Sequence, residues 1–150
     1  MPYFFTYFLN GNSKTSNKAL APSLSDAEVL IHTSILAGAY AFLGWSHFFD
    51  ARFGWSKSRS KSTKMAFESA QKALEMDDTL DYAHTLSSAV YLVKRQHEKA
   101  AAEAERAVAL NPNGALVYNT LAGVVGCSGR WEEGIIYGKK SIRHAPFPPL

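Results

Sequence analysis

Apolar and polar positions alternate along the second half of the chain with the period of an α-helix. Within residues 81–113, apolar side chains recur three and four positions apart, the polar break KRQHEK follows, and small side chains then recur at the same spacing. The apolar residues are Ala83, Leu86, Val90 and Val93, and the small residues are Ala100, Ala104 and Ala107. The pattern predicts two helices joined by a short turn, each with a face that needs a neighbour to cover it.

The same pattern occurs more than once, at a constant separation that we name the repeat interval. Ala104 corresponds to Gly138, and Pro112 corresponds to Pro146. Counting backwards, Ala66, Ala70 and Ala73 stand one repeat interval before the three alanines of the middle copy. A fixed period of about 34 residues is typical of a solenoid, in which stacked helix pairs bury the faces that one pair leaves open. Proline after the second helix ends it, because proline lacks the amide donor.

These phased residues resemble the tetratricopeptide repeat. The middle copy supplies Ser88 and Tyr91 before the three alanines, the last supplies Tyr118, Leu121 and Ala122 before GRWEEG, and the first supplies AYAFLGW, ending at Gly44 and Trp45. The resemblance implies an all-α, right-handed α–α superhelix of about three helix-turn-helix repeats. The amino-acid sequence of the repeats is most similar to that of repeats attached to bacterial cyclase-type signalling proteins, but it includes no catalytic segment of that kind.

The pattern divides the chain into an irregular N-terminal arm, residues 1–24, and a repeat domain, residues 25–150. The predicted repeats are 37–80, 81–114 and 115–148, and the first carries an insertion of ten residues within 50–63. The motif SDAE, Ser25 to Glu28, has the capping-box form, which predicts the start of a helix. We expect that helix to continue through the first repeat as far as Gly54.

Charge and composition restrict the classes of function. The net charge is +3, and much of the basic excess lies in KSRSKSTK, residues 57–64. We interpret Lys57, Arg59, Lys61 and Lys64 as a solvated loop, with contact to phosphate or an acidic partner as the alternative. A single cysteine cannot form an internal disulfide, which favours a reducing, cytoplasmic location. Residues 29–49 contain no Asp, Glu, Lys or Arg and are long enough to cross a bilayer, so a membrane-tethered repeat protein is a further alternative.

The resemblance also implies a concave surface formed by the first helix of each repeat. We predict that this surface binds a peptide or helix of a partner protein, and that replacing Trp45 weakens the binding. The predicted contact residues are Trp45, Phe48, Phe49, Tyr82, Thr85, Ala89, Leu92, Asn119 and Cys127. One subgroup of the family grips a terminal carboxylate with Lys, Asn and Arg at these positions, and only Asn119 matches it. An apolar occupant is therefore expected.

A second hypothesis is self-association, most simply as a dimer. The last repeat carries Ile135, Ile136 and Ile142, which need cover, and twofold pairing is the commonest way to provide it. This hypothesis includes a purely structural homo-oligomer with no separate ligand. We expect no catalytic residues, cofactor, metal or nucleic acid, because no histidine pairs with a nearby cysteine and no acid–base pair is formed. The sequence thus predicts a non-enzymatic protein-interaction module.

Overall fold

The computed structural model describes residues 25–145. Within this range the chain forms six α-helices and no β-strand. The helices are α1 (Asp26–Phe53), α2 (Arg59–Met76), α3 (Asp81–Val93), α4 (His97–Leu110), α5 (Ala115–Cys127) and α6 (Trp131–His144). The arm predicted for residues 1–24 and the end of the third repeat, including Pro146, lie outside the described residues.

Helix α1 begins and ends where the sequence predicts. The Glu28 amide donates to the Ser25 hydroxyl over 3.3 Å, and the Ser25 amide donates to the Glu28 carboxylate over 2.8 Å. This reciprocal pair is the predicted capping box. The helix continues through Gly44 and ends at Gly54, whose φ of 74° is the left-handed conformation that glycine adopts without strain.

The six helices form three helical hairpins, α1 with α2, α3 with α4 and α5 with α6. The turns of the last two hairpins contain backbone hydrogen bonds at positions separated by the repeat interval. The Gln96 amide donates to the Tyr91 carbonyl over 2.9 Å, and the Arg130 amide donates to the Val125 carbonyl over 3.2 Å. The residues before the two donors, Arg95 and Gly129, both have positive φ, 58° and 84°. The period seen in the side chains is therefore also present in the backbone.

Small residues bring the two helices of each hairpin into close contact at equivalent positions. In the middle hairpin the Ser88 hydroxyl donates to the Ala100 carbonyl over 2.7 Å. In the first, a Cβ atom on Gly44 would lie 3.2 Å from the Ala66 carbonyl oxygen. In the last, a Cβ atom on Gly134 would lie 3.1 Å from the carbonyl oxygen of residue 122. The recurring small residues are thus crossing points of paired helices, as the sequence predicts.

The hairpins stack so that each second helix packs against the first helix of the next hairpin. Every small residue of the stripes on α2 and α4 is fully buried: Ala66, Ala70, Ala73, Ala100, Ala104 and Ala107. Leu86 and Val90 of α3 are also fully buried, in the cluster shared with α1 and α2. The architecture is an all-helical α–α superhelical repeat.

The first hairpin is longer than the others because its helices are longer. Helix α1 continues nine residues past Gly44, whereas α3 continues five past Ser88. Helix α2 begins seven residues before Ala66, whereas α4 begins three before Ala100. Most of the ten additional residues are therefore helical, and the loop 54–58 is short. The interpretation of the basic run as a loop is corrected: Arg59, Lys61 and Lys64 lie in α2, which begins after the N-cap Ser58.

Candidate functional site: the surface of the first helices

Charged residues are divided unequally between the two kinds of helix. Helix α5 has no charged residue, and α3 has none after Asp81. Helix α1 has none between Glu28 and Asp50. The second helices, α2, α4 and α6, each carry five or more acidic or basic residues. One side of the array is consequently uncharged over much of its length, while the other is covered by charged side chains.

Aromatic rings line the α1 end of this uncharged side and continue to α3. The Trp45 ring lies 5.3 Å from the Phe49 ring and 5.6 Å from the Tyr82 ring, centroid to centroid. Phe42 extends the group, with its ring 5.0 Å from that of Tyr82. The Trp45 indole Nε1 also donates to the Tyr82 carbonyl over 3.4 Å. We name the uncharged side of α1, α3 and α5 the aromatic groove; its accessible residues are Phe42, Phe49, Tyr82, Leu92, Val93, Leu116, Asn119 and Cys127.

Four of the nine predicted contact residues are buried and are not accessible for direct contact with a partner. Trp45 and Phe48 are 6% and 8% exposed and belong to the core shared by the first and second hairpins. Ala89 belongs to the same core, and Thr85 is fully buried, with its hydroxyl donating to the Asp81 carbonyl over 2.7 Å. The physical reason is that α3 lies between α1 and α5. The side chains of α1 and α3 that face each other therefore bury one another.

The other five predicted residues are accessible. Phe49 is 40% exposed, Tyr82 and Leu92 are half-buried, and Asn119 and Cys127 are exposed. Burial raises the pKa of the Tyr82 phenol above its ordinary value of 10.0, because the phenolate would lose hydration. This surface can therefore offer rings, one neutral phenol and one amide, but no charge.

Three exposed aromatic residues were missing from the predicted site. Phe42 is 67% exposed, and Phe53 and Trp55 continue the ring series beyond Phe49, with centroid separations of 5.9 and 5.1 Å. The signal was present in the sequence, because Phe42, Phe49 and Phe53 are spaced by seven and four residues on one helical face. Repeat position does not indicate Phe53 and Trp55, because both lie in the additional residues of the first hairpin.

Helix α6 presents a second apolar surface. The three predicted self-association residues, Ile135, Ile136 and Ile142, are each more than half exposed, and α6 has no buried residue. Ala101 and Val108 of α4 stand one repeat interval before Ile135 and Ile142, and they pack in clusters with residues of α5. The positions that the next helix covers in the middle repeat are thus open in the last one.

The titratable side chains outside the aromatic groove form few clusters among the described residues. Residues 25–145 contain no group of three His, Cys, Asp or Glu side chains that could hold a metal ion. His84 is buried, with Nδ1 2.7 Å from the Glu103 carboxylate and Nε2 2.9 Å from the Asp78 carbonyl. An open cleft of about 640 Å³ lies between the first half of α1 and the connection from α2 to α3. Its Asp77 has a lowered pKa because the Thr79 hydroxyl donates to the carboxylate.

Comparison with known proteins supports the class of fold. No family model matches the chain, and no curated protein matches it. Among solved structures, two crystal structures of MamA, a protein with a tetratricopeptide-like fold, match with a TM-score of 0.55 and 19% sequence identity over 79% of this chain. The chain spans about three fifths of the MamA chains, 63% and 59% of their lengths. At this identity the likeness shows the fold alone, which is an all-helical repeat fold of the tetratricopeptide type.

Proposed function

We propose that the protein is a non-enzymatic adaptor that binds an apolar peptide or helix of a partner protein in the aromatic groove. The observation that carries the proposal is the absence of charged residues from this groove between Glu28 and Asp50, after Asp81 in α3 and throughout α5. Burial of exposed aromatic side chains such as Phe42 contributes strongly to the free energy of binding, and such side chains are the usual anchors of protein interfaces. The occupant should therefore be uncharged where it touches α1 and α3.

Charged substitutions in the groove test this proposal. Phe42 and Val93 are both more than half exposed, so Phe42→Asp and Val93→Asp should not disturb the core. We expect each variant to bind the partner with at least tenfold lower affinity, because a buried unpaired carboxylate opposes binding. The measurement is affinity purification from the native source with quantitative mass spectrometry, followed by titration of the partner that is recovered.

The matched control is Ala102→Asp, which adds the same charge at an exposed position of α4 on the opposite side. The partner should bind this variant as it binds the natural chain. Equal retention of every recovered protein by the groove variants would refute the proposal. The Trp45 substitution expected from the sequence is a weaker test, because Trp45 is a core residue and its loss would destabilise the fold.

Self-association through α6 is a second candidate, supported by the exposed isoleucines described above. We propose that two copies cover each other along the stripe formed by Trp131, Ile135 and Ile142, whose spacing of four and seven residues places them on one helical face. Light scattering on the natural chain at micromolar concentration should give a dimer, and Ile135→Glu with Ile142→Glu should give a monomer. Lys140→Glu, at an exposed position of α6 that is five residues from Ile135 and two from Ile142 and therefore off the stripe, is the control. A natural chain that stays monomeric throughout this range would remove this candidate.

The proposed location is the cytoplasm, and the membrane-spanning alternative is less well supported. Helix α1 is long and apolar enough to cross a membrane, and 17% of its most apolar segment is buried. The buried side is formed by residues such as Ala41, Gly44 and Trp45, which contribute to the first hairpin and to the contact with α3. Insertion of α1 into a bilayer would remove this side from the core. Recovery of folded protein without detergent, with the helix content of the structure, would support the soluble alternative.

A further inference from the structure

The end of the first hairpin projects beyond the corresponding ends of the other two. Because α1 continues four residues further past its crossing point than α3 does, its end lies about 6 Å further out at 1.5 Å per residue. We name residues 52–61, which form this end, the hairpin tip. Its two aromatic residues are largely exposed: Phe53 at 59% and Trp55 at 73%. A folding role does not account for this exposure.

The hairpin tip is also basic and overlaps the basic run of residues 57–64. Arg52, Lys57, Arg59 and Lys61 lie within ten residues that contain no acidic side chain. Arg59 is used in the fold, since its guanidinium donates to the Ala51 carbonyl over 3.0 Å. Among the ion pairs of residues 25–145, none involves Arg52, Lys57 or Lys61.

The position of two of these charges does not favour folding. Arg59 and Lys61 lie in the first turn of α2, which has no acidic residue there. The helix macrodipole favours acidic side chains at this end and disfavours basic ones. Basic side chains next to exposed aromatic rings are instead the combination that binds the surface of an anionic membrane, where the rings enter the headgroup region and the cations meet phosphate.

We propose that the hairpin tip docks the protein on an anionic lipid surface, with Phe53 and Trp55 inserted at the headgroup level. Lys57 and Lys61 pair with the lipid phosphates. The protein lies on the bilayer and does not span it, so α1 keeps its place in the first hairpin. The hairpin tip adjoins the aromatic groove at Phe49, whose ring lies 5.9 Å from that of Phe53. Phe42, Val93 and Leu116 lie outside the tip, so this part of the groove stays free for a partner at the membrane.

Vesicle binding by the full chain tests the proposal. The probe is a phosphatidylcholine vesicle with or without 30 mol% phosphatidylserine, and binding is measured by flotation and by Trp fluorescence in a Trp131→Phe background. Trp45 is buried, so the change should come from Trp55. We expect binding to the anionic vesicle with a blue shift, binding to the neutral vesicle at least tenfold weaker, and weaker flotation of Trp55→Ser with the anionic vesicle.

Charge variants distinguish the hairpin tip from a general effect of net charge. Lys57→Gln with Lys61→Gln should weaken anionic vesicle binding about thirty-fold, from about 1 kcal/mol for each basic residue at an anionic surface. Arg106→Gln with Lys139→Gln removes the same charge from α4 and α6 and should change binding by less than threefold. Equal loss in the two double variants would overturn the proposal, as would binding of a 20-nucleotide single strand in place of the vesicles. Val93→Asp should bind vesicles normally, so the result is independent of the groove.

Discussion

Two glycines of α1 provide a direct test of the close packing inside the first hairpin. A Cβ atom on Gly38 would have no atom within 4 Å, whereas one on Gly44 would overlap Leu86 Cδ2 and lie 3.1 Å from Ser69 Cβ and 3.2 Å from the Ala66 carbonyl oxygen. Both positions are in the helix interior, so alanine at either gains about 1 kcal/mol of helix propensity. Only Gly44→Ala must also force apart buried neighbours, at a cost of about 1–3 kcal/mol.

We therefore expect Gly38→Ala to raise the free energy of unfolding by about 1 kcal/mol and Gly44→Ala to lower it by about 1 kcal/mol. Urea denaturation followed by far-UV circular dichroism measures both, with the slope against urea compared to confirm that the unfolding transition is unchanged. The pair is internally controlled, because the two substitutions are chemically identical and lie on one helix. If Gly44→Ala stabilises the protein as much as Gly38→Ala does, the two helices do not cross closely at Gly44.

Three further predictions follow from the middle and last repeats. Ser88→Ala should lower the free energy of unfolding by about 1 kcal/mol, because it removes a buried hydrogen bond. Ser87→Ala should be neutral or stabilising, since the Ser87 hydroxyl is buried with no partner among the described residues. Urea denaturation of the two variants distinguishes these outcomes. Arg95→Gly should stabilise the fold by relieving a positive φ, and Gly129→Ala should destabilise it, by about 1 kcal/mol each in thermal unfolding; the same sign for both would contradict the common turn. Because burial raises the pKa of Tyr82 above 10.0, the contribution of Tyr82 to stability should be fully present below about pH 10 and be lost as the pH rises further, so the alkaline fall in stability should be less steep in Tyr82→Phe; an unchanged slope in alkaline urea titrations would contradict this origin.

The positions of the helices could be predicted from local rules. The capping box at Ser25 and the glycine at residue 54 are short-range signals, since they depend on hydrogen bonds within one turn and on backbone conformation. The repeat interval determined which small residues meet, because a crossing point of two helices requires small side chains wherever the chain order places it. Ala66 and Ala100 accordingly occupy equivalent places in successive hairpins.

The depth of burial within the groove could not be predicted from the same pattern. Repeat position indicates that Trp45 and Thr85 lie on the inner side, but whether a side chain there is accessible depends on how closely α1 approaches α3. Large rings such as Trp45 and Phe48 close that gap themselves, while the rings one turn away, Phe42 and Phe49, remain accessible. The basic run also differs from its predicted loop conformation. The serine N-cap at residue 58 allows a sequence rich in serine and lysine to form the start of helix α2.

Site-specific photo-crosslinking tests the central claim that the uncharged side of the first helices binds a protein partner. A benzophenone amino acid would be placed at one exposed position in each first helix and, for comparison, at one exposed position in each second helix, in cells that make the protein naturally. The first set is Phe42, Val93 and Leu116, and the second set is Glu68, Glu105 and Glu133. We expect the same partner polypeptide to be crosslinked from all three groove positions and from none of the outer positions. Crosslinks to one partner only from the outer positions would contradict the account.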